Sequence, residues 1–240
     1  MAQNNGYFVS DPPTEFPMFT GMPITRTVND YDHSPTGYQF IVYSCDAYGN
    51  ITATPDVIGQ TLTITTNDPY AYPVTPTTID AATGQAIVNV IFHTAMEGVT
   101  VGAHITLDGI EEFETPGFPT NAGTPYGLQL LVPGLYVENG SGGWVGSAWD
   151  NGVRGEENAQ LSGIYFPVTV LACDMFGNFA QGVYDQVQVS SGDDSPSAIP
   201  QSGSPVTLTL DNSSATMNAR LIRSGGSIPV SYTHLTLPTN

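Results

Sequence analysis

The hexapeptides CDAYGN (residues 45–50) and CDMFGN (residues 173–178) lie 128 residues apart, and this duplication constrains the fold more than any other feature. At that offset residues 6–50 align without a gap on residues 134–178. Gly6, Val9, Arg26, Ser34, Val42, Cys45, Asp46, Gly49 and Asn50 recur identically. A duplication of this span predicts two copies of one structural unit. Further on the register slips, but LTITTND (62–68) matches VQVSSGD (187–193), and AIVNVIF (86–92) is paired with PVTLTL (205–210). All alternate apolar and polar residues, the period of a strand with one face in a core and one in water.

Both hexapeptides follow apolar alternating segments, YQFIVYSC and YFPVTVLAC, so each is expected to terminate a strand, with its cysteine buried. An aspartate at that point accepts hydrogen bonds from backbone N–H groups just beyond it, while Gly and Asn tolerate the left-handed φ that reverses the chain. Asp46 and Asp174 are therefore read as turn-formers rather than catalytic groups, and Cys45 and Cys173 as small buried residues without a disulfide between them.

Composition agrees with an all-β chain. Its 240 residues include 26 Gly and 19 Pro, only 11% are charged, and the length suits two domains of ordinary β-sandwich size. Arg26, Arg154, Arg220 and Arg223 are the only basic residues against 22 carboxylates, giving a formal net charge of −18. Such a surface argues against nucleic acid or anionic membrane as partner, because phosphate binding needs a basic footprint. No apolar run reaches membrane-spanning length, and MAQNNGYF lacks the pattern of a signal peptide.

Residues 230–239, VSYTHLTLPT, can be read from the string GTC TCT TAT ACA CAT CTG ACG CTG CCG ACG, which resembles a transposon sequencing adaptor. Residues 230–240 are accordingly expected to be a non-native tail on a fragment assembled from environmental DNA.

FIVYSCDAYGN, LTITTND and GQAIVNVIF, together with LQLLVPG at 128–134, resemble the tandem immunoglobulin-like repeats of large bacterial secreted and cell-surface proteins. This resemblance implies two tandem immunoglobulin-like β-sandwich repeats. Repeat 1 would occupy 1–112 without its first strand, an acidic, Pro/Gly-containing linker 113–124, and repeat 2 residues 125–229 without its last strand. It also implies a non-enzymatic extracellular segment that spaces or presents a region encoded elsewhere, with an unknown protein or glycan as ligand.

No P-loop, dinucleotide fingerprint, zincin or nucleophile-elbow motif occurs, and no catalytic or cofactor-binding residue is assigned. His93 and His104 could meet across neighbouring strands, but zinc needs a further ligand that the spacing does not offer. Trp144 and Trp149 lie five residues apart in GSGGWVGSAWDNG, where they would either stack on sugar faces or fold back over the core. The first alternative makes the chain a glycan-binding module. A third reading is an accessory region of a secreted hydrolase. Asp108, Glu111, Glu112 and Glu114 cluster where the copies should join and form a candidate weak Ca²⁺ site, although they lack the ordered spacing of a calcium loop.

Overall fold

A computed structural model of the chain describes residues 5–10, 26–27, 38–45, 59–72, 77–105, 110–111, 113–224 and 230–234. Every regular element among them is a strand, and the protein is all-β. The chain divides into two compact units, Met1–Asn121 and Ala122–Asn240.

The first unit contains β1 (Asn5–Ser10), β2 (Arg26–Thr27), β3 (Tyr38–Cys45), β4 (Thr61–Thr66), β5 (Thr77–Thr78), β6 (Gln85–Val90), β7 (Val101–Ile105), β8 (Ile110–Glu111), β9 (Phe113–Glu114) and β10 (Thr120–Asn121). One sheet has the order β6-β3-β1-β8 and a second the order β5-β4-β7-β9, with β2 and β10 as a small ribbon. Along β6 the buried residues Ala86, Val88 and Val90 alternate with exposed Ile87 and Asn89. Phe40 and Val42 from the first sheet meet Leu62, Val101 and Ile105 from the second in a single apolar core, the packing of a two-layer β protein. Phe40, Phe92 and Phe118 form an aromatic cluster inside it, with centroids 5.7 to 6.3 Å apart.

The second unit contains β11 (Gly127–Leu131), β12 (Leu135–Val137), β13 (Gly143–Val145), β14 (Ala148–Asp150), β15 (Val153–Gly155), β16 (Tyr165–Cys173), β17 (Gln186–Ser191), β18 (Val206–Thr209), β19 (Ser214–Arg220) and β20 (Val230–His234). Its sheets run β11-β16-β19 and β18-β17-β20, and β12 with β15 and β13 with β14 make two ribbons. Leu128, Phe166, Val168 and Val170 pack against Val187, Val189 and Leu210.

Strand pairing relates the two units element by element. Gly6 stands opposite Cys45 as Gly127 stands opposite Cys173, so β1 holds the place of β11. The opening strand expected to be missing from the first copy is therefore present. The gapless alignment matches residue 6 to residue 134, whereas pairing matches it to residue 127, because the second unit has seven more residues between these strands. β6 pairs with β3 as β19 pairs with β16, making AIVNVIF the counterpart of the β19 segment rather than of PVTLTL. PVTLTL contains β18, which pairs with β17 as β5 pairs with β4. Similar alternation in β18 and β19 concealed the difference.

The expected linker is also corrected. Within 113–121, Phe118 is 3% exposed in the first core, Thr115 and Thr120 are buried, and two strands form. Thr120 Oγ1 donates to the Thr94 carbonyl at 2.6 Å, and Thr115 Oγ1 accepts from the Val101 N–H at 3.0 Å. The place of a last strand in the second unit is likewise filled. Ser191 pairs with Val230 and Val187 with His234, as Thr66 pairs with Val101 and Leu62 with Ile105.

One polar device recurs in both cores. Asp68 follows β4, accepts from the Tyr70 N–H, and receives the N–H groups of His93 and Thr94 beyond β6 at 2.8 and 3.1 Å. Asp193 follows β17, accepts from the Ser195 N–H, and receives those of Ile222 and Arg223 beyond β19 at 2.6 and 3.0 Å. In each unit a hydroxyl two residues earlier, Thr66 or Ser191, accepts from the aspartate's own N–H. Burial pushes the Asp193 carboxyl up, but the N–H groups of Arg223, Ile222 and Ser195 outweigh it and hold the carboxyl at about 2.

Candidate functional site

The turn after β16 supports the aromatic hairpin of the second unit. Val168, Val170 and Ala172 point inward along the strand, and Cys173 and Asp174 are fully buried where it ends. Burial, reinforced by the charge of Asp174, pushes the Cys173 thiol up to about 12. The Asp174 carboxylate accepts from the N–H groups of Phe176 and Asn178 at 2.9 Å, from Gly123 at 2.8 Å, and from the Asn178 amide. Burial nonetheless raises its pKa above the ordinary value against these bonds. Its lone pairs are occupied by the chain's own donors, which makes it an anchor. Gly177 takes the left-handed φ of 78°, and a Cβ there would lie 2.6 Å from the Asn151 carbonyl. The counterpart Asp46 and its turn lie outside the described residues.

The two tryptophans occupy the β13–β14 hairpin and pair directly across it. Its connection is Gly146-Ser147. Gly146, at φ 64° in the first central position, fits a type II′ turn, whose twist suits paired strands. Trp149 folds back: its Nε1 donates to the Met175 carbonyl at 2.8 Å and its ring meets Tyr126 edge-on at 5.2 Å. It also covers Gly127, where a Cβ would lie 2.3 Å from the indole. Trp144 differs, with 53% of its surface exposed, beside Val145 at 71%. Folding back over the core thus describes Trp149 and not Trp144.

Two further groups stiffen this end of the unit. Gln129 is fully buried, and its Nε2 donates to the carbonyls of Asn151 at 2.6 Å and Gly177 at 2.8 Å, tying the hairpin's exit to the aspartate turn. Sequence reasoning missed this residue, because a glutamine in an apolar strand reads as an outward position. Arg154 on β15 donates to Asp150 Oδ1 at 2.9 Å and to the Ser141 carbonyl at 2.7 Å, with Glu138 Oε2 at 3.5 Å. The Arg154 hydrogen bond holds the Asp150 carboxyl below its usual value. The result is one exposed indole on a ribbon whose root is fixed by three independent sets of hydrogen bonds. That arrangement can present a flat apolar face to a ligand with little ordering cost.

The remaining sequence candidates do not join this assembly. His104 lies on β7 opposite Thr63, and His93 lies beyond β6, in the unit's other sheet, so the two do not face each other across neighbouring strands. His93 packs edge-on against Tyr72 at 4.8 Å, and burial lowers its pKa despite the attraction of Asp68. Of the acidic group, Asp108 and Glu112 lie outside the described residues, Glu111 belongs to β8, and exposed Glu114 accepts from Thr100 Oγ1 at 2.6 Å. Among the described residues no group of three or more His, Cys, Asp or Glu side chains is placed to hold a metal ion.

No family model and no curated protein matches the chain. Two solved structures of a glycosyl hydrolase family 2 member from Bacteroides cellulosilyticus are similar to it at 16% identity over 99% of its length. One, from strain DSM 14838, has a TM-score of 0.29, and the other, from microfluidic crystals, 0.28. The chain spans 28% and 27% of those proteins, and at such scores the likeness carries no assignment of fold or activity.

Proposed function

We propose that the chain is a non-enzymatic segment of two tandem immunoglobulin-like repeats, serving as a spacer or presenting scaffold in a larger extracellular or cell-surface protein. The observation that carries this reading is the duplicated construction. β3 and β16, β4 and β17, and β6 and β19 occupy corresponding places, and Asp68 and Asp193 close each unit by the same hydrogen bonds. A duplicated unit that fastens its own exit is suited to serial connection, because each copy is closed by its own bonds. Single-molecule stretching between the termini tests this directly. Two separate unfolding events are expected, each releasing on the order of 400 Å of chain. A single concerted event over the whole length would sink the proposal.

The exposed indole of Trp144 supports a second reading, in which the hairpin binds glycans, either for the scaffold itself or as the accessory region of a secreted hydrolase. Sugar faces stack on such amphipathic rings. Titration with a panel of neutral oligosaccharides should quench tryptophan fluorescence, and Trp144→Ala should abolish the response while leaving the melting midpoint unchanged. A panel without a binder would remove this reading and leave the scaffold reading intact.

A further inference from the structure

The strand β20 holds a place in the second unit for which its sequence is poorly matched. In the first unit the corresponding strand is β7, whose inward residues Val101, Ala103 and Ile105 are at most 4% exposed and belong to the core. The register puts Val230, Tyr232 and His234 at the same three positions. A tyrosine thus stands where the first unit has alanine, and a histidine where it has isoleucine. The segment also belongs to the stretch whose sequence reads as a translated adaptor. Pairing nevertheless runs over all five residues, from Val187 opposite His234 to Ser191 opposite Val230.

β17 explains why pairing persists. Val187 and Val189 are fully buried and Ser191 is 7% exposed, so the position of this strand is held by the core beneath it. Its edge away from β18 presents a row of N–H and C=O groups that need partners, and main-chain hydrogen bonds impose little demand on side chains.

We propose that this edge of β17 is a strand-acceptor surface, and that the partner it fits is an extended, uncharged segment with small or branched apolar residues at alternate positions, as β7 has. β20 fills the edge through its backbone, is not optimised for it, and can be replaced.

The test uses full-length chains. Tyr232→Ala combined with His234→Ile restores the β7 pattern and should raise the melting midpoint of the second unit by several degrees; an unchanged or lower midpoint would overturn the proposal. Thr233→Pro removes a donor that faces β17, since the Asp185 carbonyl turned toward β18 leaves Gln188, opposite Thr233, facing β20, and it should free the edge. A labelled peptide with the sequence of residues 99–107, VTVGAHITL, should then bind this variant at least tenfold more tightly than VTVGAPITL, whose proline removes an N–H that faces the partner strand. Equal binding of the two peptides, or no binding by a variant whose Trp149 emission remains native, also overturns it. Dimers of the Thr233→Pro chain that persist in excess peptide would do the same, by showing that a second copy of this chain is the preferred occupant.

Discussion

A carboxylate keeps its charge in acid where the N–H groups that hold it outweigh the cost of burial, and Asp193 is such a case, with a folded-state pKa of about 2 against an ordinary value of 3.8. Because the folded value is the lower one, the stabilisation is fully present above 3.8 and is lost as pH falls from there toward 2. Asp193→Asn should therefore melt below the parent at neutral pH, and the two midpoints should converge across that acid window. Midpoints that stay equally far apart down to pH 2 would exclude this role for the charge. Asp174 has the opposite sign: its raised pKa gives stability that is present below 3.8 and lost as pH rises through the folded value. The Cys173 thiol, pushed up to about 12, should resist a thiol reagent near neutral pH until the protein unfolds. Rapid modification of native protein at Cys173 would show that the end of β16 opens. These roles were readable for Asp174 and Cys173, because a strand pattern runs directly into a turn pattern. Those of Asp68 and Asp193 were not, since their partners lie 25 and 29 residues further along the chain.

At the level of elements, two close contacts support specific forecasts. Gly127 on β11 lies under the Trp149 indole with no room for a Cβ. Gly127→Ala should displace the ring, shift its emission to the red and cost about 1–3 kcal/mol. Unchanged emission would mean that the hairpin does not rest there. Phe118 lies in a stretch that reads as linker, with Pro and Gly on either side, yet it completes the aromatic cluster with Phe40 and Phe92. Phe118→Ala should destabilise the first unit by about 3–5 kcal/mol, measured by denaturant unfolding, whereas a linker residue would cost almost nothing. The long strands β3, β4, β16 and β17 were legible because period-two alternation is a local property. β9 and β10, two residues each, carry too little pattern to detect and are defined only by the strands they join. The offset between copies is 121 residues at β1 and β11, 128 at β3 and β16, and 129 at β6 and β19. A single sliding comparison could therefore match only one of these pairs correctly.

For the molecule as a whole, the balance of charge dominates. With a formal net charge of −18, like charges crowd together on folding, and their repulsion reaches about 30 Å at 0.01 M salt but only about 8 Å at 0.15 M. The melting midpoint should rise over that range of NaCl, and a midpoint that falls or stays level would contradict the argument. At matched ionic strength Ca²⁺ and Mg²⁺ should act alike. A rise specific to Ca²⁺ and abolished by Glu112→Gln would instead identify a site at the acidic run. All-β architecture was legible from composition and alternation together, whereas the boundary at Asn121 and Ala122 was not, because turn-forming residues occur on both sides of it.

The fastening of the second unit's exit also bears on proteolysis. Trypsin cuts after lysine or arginine, and this chain has only four arginines. Arg26 and Arg154 lie in paired strands, and Arg220 ends β19 with its guanidinium on the Ser197 carbonyl and over the Tyr165 ring. Arg223 lies beyond the last paired residue of β19, with a side chain 60% exposed, secured by its N–H to Asp193 and a 3.3 Å contact to Asp194. Brief digestion of native protein should therefore nick one peptide bond first, between Arg223 and Ser224. That cut would turn β20 from part of the chain into a bound peptide, held at the edge of β17 by antiparallel pairing over five residues.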